Sequence, residues 1–69
     1  MLVGELIDTL DSSLVLELYG LRDSKKPSHE GTFYLDDDGS KSELLHSYGH
    51  VAVKHKDLYK AYVLVYIDG

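Results

Sequence analysis

The chain has 69 residues, 43% of them hydrophobic, and no cysteine, which describes one globular domain and excludes disulfides and thiolate zinc sites. Twelve acidic residues against seven basic ones leave a net charge of -5. Phosphate binding needs clustered Lys and Arg, and the only basic groupings are Lys25-Lys26 and Lys54 to Lys56 around His55, so direct nucleic-acid binding is not expected.

The first residues carry no basic region followed by an apolar run, and so no signal peptide is expected. The longest apolar stretch, Ala61 to Ile67, is too short to span a bilayer. Residues 1–69 therefore read as a single cytoplasmic domain with no linker or tail, no membrane contact and no cofactor.

Val3, Leu6, Ile7 and Leu10 recur at helical spacing, which predicts a short amphipathic helix over Leu2 to Leu10, closed by Asp11-Ser12-Ser13. Leu14, Leu16 and Leu18 alternate with Val15, Glu17 and Tyr19, the pattern of a strand with one strongly apolar face. Gly20 to Glu30 is polar, holds the only proline, Pro27, and reads as a loop. A second strand is predicted over Thr32 to Asp36, with Phe33 and Leu35 on one face and Thr32 and Tyr34 on the other.

After the Asp36 to Gly39 turn, Ser40-Lys41-Ser42-Glu43 matches a capping box and opens a helix over Lys41 to Tyr48. The three preceding aspartates suit the positive end of its dipole, and Gly49 reads as a left-handed stop. His50 to His55 is predicted as a third strand with Val51 and Val53 inward, Lys56-Asp57 as a turn, and Leu58 to Ile67 as the longest strand. That last strand is apolar on both faces: Tyr59, Ala61, Val63, Val65 and Ile67 line one side, and Leu58, Tyr62, Leu64 and Tyr66 the other. Such a strand is central in a covered sheet or part of an interface.

The expected fold is a single small α+β domain of order α-β-β-α-β-β, with a mainly antiparallel sheet and two short helices. Gly4 to Leu10 also sets against Ser42 to Tyr48, which is compatible with an α-β-β duplication and equally with shared helix-start residues.

Three groupings invite chemistry. His46 and His50 are four apart, but Gly49 interrupts the helix that would align them, and no Glu completes a metalloprotease arrangement. His50 and His55 should fall on opposite strand faces, so no metal site is assigned. Asp36-Asp37-Asp38-Gly39 fails as a calcium loop, because counting forward from its glycine puts Leu45 where the bidentate glutamate must stand. No nucleophile elbow or glycine-rich phosphate loop is present, and a chain this short encloses little volume, so no enzymatic activity and no catalytic residue are expected.

The six tyrosines are the most distinctive feature. Tyrosine joins large apolar area to a polar tip and is enriched at interfaces. With two short helices to cover both sides of the final strand, self-association is expected, with Tyr59, Tyr62, Leu64 and Tyr66 as the candidate interface. The alternative function is an acidic inhibitor that occupies a host nucleic-acid-binding protein by mimicking phosphate charge. Its candidate surface is Asp36, Asp37, Asp38, Glu43 and Asp57.

A helix of the form Val-x-x-Leu-Ile-x-x-Leu (Val3 to Leu10) is followed by a leucine-rich strand (Leu14 to Leu18) and the Glu30-Gly31 step. Leu44-Leu45 and the apolar Val51 to Ile67 complete the series. In this series the chain resembles small accessory proteins encoded by phages and prophages of Gram-positive bacteria. The resemblance implies the context of a bacterial host cell, and it implies no catalytic residues. The Gly20 to Glu30 loop and the triple aspartate are longer than that pattern.

Overall fold

A computed structural model describes residues 1–22 and 25–68. The elements run α1 (Val3–Ile7), β1 (Val15–Gly20), β2 (Ser28–Tyr34), α2 (Asp38–Tyr48), β3 (Val53–Leu58) and β4 (Tyr62–Ile67), the α-β-β-α-β-β order of a small α+β domain. The four strands form one mixed sheet in the order β2-β1-β4-β3. Both hairpin pairings are antiparallel, and the central β1–β4 pairing is parallel.

The two hairpins therefore meet along their β1 and β4 edges, bringing Val15 to Gly20 alongside Tyr62 to Ile67. This arrangement does not superpose as a duplicated α-β-β unit. The strand after α1 is central and the strand after α2 is at an edge, while α1 has 5 residues and α2 has 11.

One face of the sheet is covered and the other is open. Alternate residues Leu16 and Leu18 of β1 and Val63, Val65 and Ile67 of β4 are buried. They join Phe33 and Leu35 with Val3, Leu6 and Ile7 of α1 and Leu44 of α2 in one apolar core. Phe33 also meets Tyr48 of α2 edge to face, with centroids 6.2 Å apart. No buried polar side-chain atom lacks a partner among the described residues.

α1 is shorter than its apolar spacing predicts. The amide and hydroxyl of Thr9 both donate to the Leu6 carbonyl, at 3.0 and 2.7 Å, and this three-residue return tightens the chain and ends the helix. At its start the Leu2 amide donates to Glu5 Oε1 at 2.8 Å.

α2 starts earlier than predicted because its cap is Asp37 and not Ser40. The Asp37 carboxylate accepts from the Ser40 amide at 2.9 Å. The Ser40 hydroxyl instead accepts from the Tyr34 amide at 2.8 Å and so fastens the end of β2 to the helix. Gly49 is not a left-handed stop: its φ of -55° and ψ of -32° are right-handed helical, and no described residue has a positive φ. Glycine is required there by crowding, since a Cβ at Gly49 would collide with the Leu45 carbonyl oxygen. The Gly49 carbonyl in turn accepts from the Gly4 amide at 3.1 Å, and a Cβ at Gly4 would lie 3.1 Å from that oxygen. These two glycines let α1 and the end of α2 touch backbone to backbone.

The strands differ from expectation at three places. β2 begins at Ser28, so the second half of the predicted Gly20 to Glu30 loop is strand, and Asp23 and Ser24 of that loop lie outside the described residues. β3 lies at Val53–Leu58, later than predicted, and Lys56-Asp57 is strand and not turn. Leu58 to Ile67 is not one strand: Leu58 ends β3, and the chain turns through Lys60-Ala61, where the Tyr59 amide donates to the Tyr62 carbonyl at 2.9 Å.

Both edge strands carry register shifts, between Leu18 and Tyr19 against β2 and between Val53 and His55 in β3. Residues 1–3 also pair with the chain leading into β3, through a Leu2–Ala52 bridge and a Val53 amide donating to the Met1 carbonyl at 2.7 Å.

Candidate functional site

The residues that alternate away from the core form the helix-free face of the sheet. From β1 come Val15, Glu17 and Tyr19, and from β4 come Tyr62, Leu64 and Tyr66. Their registered neighbours on β2 are Tyr34, Thr32 and His29, and on β3 His55 stands opposite Tyr66 and Asp57 opposite Leu64.

One row crosses all four strands as His29, Tyr19, Tyr66, His55. Tyr19 and Tyr66 are stacked with centroids 5.6 Å apart and planes 25° from parallel. His29 meets the outer side of Tyr19 at 5.2 Å, and His55 meets the outer side of Tyr66 at 5.6 Å. Each tyrosine ring is thus flanked on both sides by another ring. The row presents ring edges, hydroxyls and imidazole nitrogens to solvent, and few free π-faces.

The next row carries the charge. Glu17 Oε1 lies 2.9 Å from His29 Nε2 and also accepts from the Thr32 hydroxyl. That hydroxyl bond holds the Glu17 carboxyl below its ordinary value, against the opposing effect of burial and with His29 adding to the lowering. On the other edge Asp57 Oδ1 lies 3.0 Å from His55 Nε2. Burial, followed by the Asp57 charge and the neighbouring Tyr19 and Tyr59, pushes the Tyr66 hydroxyl above its ordinary value. No Lys or Arg occupies a paired position on this face.

At the end of the sheet where β1 and β4 begin, large apolar side chains are left in solvent. Tyr34, Leu58, Tyr59 and Tyr62 are 52%, 64%, 47% and 42% exposed, well above the core beneath them. Tyr59 stacks on Tyr62 across the turn at 4.8 Å.

Of the four residues assigned to an interface from sequence, Tyr62, Leu64 and Tyr66 share the open face, and Tyr59 joins it from the turn. Leu58, expected on that same face, ends β3 opposite the buried Val63 instead. Sequence reasoning missed His29 and His55 as members of the face. His29 falls in the stretch that the sequence predicts as a loop, and the bulge at β2 reverses the alternation there.

The acidic residues do not form one surface with one role. Asp36 precedes α2, Asp37 caps it, Asp38 opens it and Glu43 is exposed along it, whereas Asp57 sits in the sheet beside His55. Among the described residues no cluster of three His, Asp or Glu side chains could hold a metal ion. None of their helices is long and apolar enough to cross a membrane. Comparisons with protein-family models, with curated proteins and with solved structures give no match, so functional inference rests on this chain's own geometry.

Proposed function

We propose that the chain is a non-enzymatic protein-interaction module that self-associates through the helix-free face of its sheet. The observation that carries this reading is the continuous band of tyrosine, leucine and valine on that face, running from Tyr34 and Tyr62 to the Tyr19–Tyr66 stack. A sheet of more than two strands with one apolar side left in water gains free energy by covering it.

β4 is central, so a second copy reaches Tyr62, Leu64 and Tyr66 face on and not by adding a strand. The face is self-complementary. It holds acceptors (Glu17 and Asp57) and donors (tyrosine hydroxyls and imidazoles) together, and a twofold axis sets one kind against the other.

Four strands about 4.8 Å apart and six residues long give a face of about 400 Å² in projection, and protruding side chains add to it. That is below the roughly 800 Å² per partner of a standard interface, which favours a weak, reversible dimer over an obligate one.

The test is the solution mass by light scattering, as a function of concentration, for the wild type and for Tyr62→Ser combined with Tyr66→Ser. The reading expects a concentration-dependent dimer in the wild type and a monomer in the variant, with both chains folded by circular dichroism. A folded variant that still dimerises removes the support.

A further inference from the structure

The two imidazole–carboxylate pairs stand at equivalent places on opposite edges of the open face: His29 with Glu17 on the β2 side, and His55 with Asp57 on the β3 side. Between them lies the Tyr19–Tyr66 stack. From these placements we infer that self-association through this face is proton-coupled, tightening as pH falls from about 8 to about 6. The inference rests on the self-association reading and adds a regulator to it.

The argument is electrostatic. With neutral imidazoles the charges at the paired positions of the face are those of Glu17 and Asp57, and association takes both carboxylates out of water with only neutral donors opposite them. Desolvating a carboxylate without a cationic partner is costly. Histidine is the side chain whose ordinary titration falls between about pH 5 and pH 8, and a proton on each imidazole makes both pairs neutral overall.

Among the described residues, the hydrogen-bond and ring partners of each imidazole are acceptors or rings. His29 meets Glu17 and Tyr19 of β1 and the Thr32 hydroxyl of its own strand, at 3.4 Å. His55 meets Asp57 of its own strand and Tyr66 of β4. No lysine or arginine holds a paired position on the face; Lys54 adjoins His55 in the bulge of β3 and has no registered partner there. A carboxylate that loses water on association therefore draws a proton onto its histidine, and association takes up protons. His46 and His50 lie in α2 and just beyond it, away from the sheet face, and take no part.

The experiment measures the dimer dissociation constant by sedimentation equilibrium at about pH 8 and about pH 6 at constant ionic strength. It compares three chains: wild type, His29→Gln with His55→Gln, and His46→Gln with His50→Gln. Glutamine keeps an amide donor beside each carboxylate while removing the titration. The expected result is at least a tenfold tightening for the wild type and for the His46/His50 variant, and less than a threefold change for the His29/His55 variant. A wild-type dimer whose constant is the same at both pH values overturns proton coupling and leaves self-association standing. A pH response that survives in the His29/His55 variant overturns the assignment to these two pairs and places the coupling elsewhere. A wild type that stays monomeric at both pH values overturns the self-association reading itself, and this inference with it.

Discussion

The two faces of the sheet are built from the same strands and differ only in which alternate residues they present. Leu16, Leu18, Val63 and Val65 are fully buried under two helices, whereas one position along each strand Glu17, Tyr19, Leu64 and Tyr66 are half-buried with nothing above them. On the proposed reading, stability and recognition are assigned to opposite sides of the same backbone. The covered side is aliphatic apart from Phe33 and buries no polar or charged residue, as tight packing favours. The open side is aromatic and bears polar tips, which suit a surface that must be stable in water and still be coverable.

This contrast can be broken most severely by truncating matched leucines on the two faces. Leu16→Ala should cost about 3 kcal/mol, the transfer and cavity terms of a fully buried leucine. Leu64→Ala on the open face should cost less than about 1 kcal/mol at monomer concentrations, since its side chain is already partly in water. Urea unfolding monitored by circular dichroism measures both, and equal costs would mean that the two faces are equally buried.

A smaller effect, confined to the covered side, comes from the connection that holds α2 over the core. Asp37→Ala removes the cap of that helix and should cost about 1 kcal/mol, whereas Asp36→Ala, one residue earlier and outside the helix, should change stability by less than about 0.5 kcal/mol. Thermal melts of the two variants distinguish a structural aspartate from a merely solvated one.

The smallest effect belongs to the open side. The Glu17 carboxyl is lowered in the folded chain, first by the Thr32 hydroxyl. Its contribution is therefore present above the ordinary glutamate value of about 4.3 and is lost as pH falls through the lower folded value. Between about pH 5 and pH 3 the wild type should lose more stability than Glu17→Gln, by less than about 1 kcal/mol because the pair is partly exposed. Coincident acid limbs in the two chains would show that the Thr32–Glu17–His29 cluster contributes nothing to folding.

Much of the covered face was legible in the sequence, because burial writes itself as period. The alternation of Leu14, Leu16 and Leu18 and the spacing of Val3, Leu6 and Ile7 found core residues correctly. The helices and strands came in the right order. Boundaries failed where a local signal was degenerate or missing. Asp37 and Ser40 are both capable caps, and only the fold shows that Ser40 is occupied by the Tyr34 amide. The Lys60-Ala61 turn holds no Gly, Pro, Asn or Asp, so two strands read as one. β3 is an edge strand with a bulge and little burial, which leaves no clean alternation to detect.

The open face was legible only in part. Tyr62, Leu64 and Tyr66 share a strand and could be grouped from sequence. Tyr19 and Tyr66 are 47 positions apart in the chain and meet through the parallel β1–β4 pairing, for which no turn or spacing gives a signal. The same pairing places the two hairpins side by side and so brings His29 and His55 to the two ends of one row.

The central claim is that a second copy covers this face, and concentration-dependent amide shifts in NMR spectra test it most directly. On raising the concentration from monomer to dimer, the account predicts shifts and line broadening at Glu17, Tyr19, Tyr62, Leu64 and Tyr66, with α1 and α2 unchanged. Changes centred on the exposed helix residues, such as Glu43 and Leu45, with the sheet residues still, would contradict it.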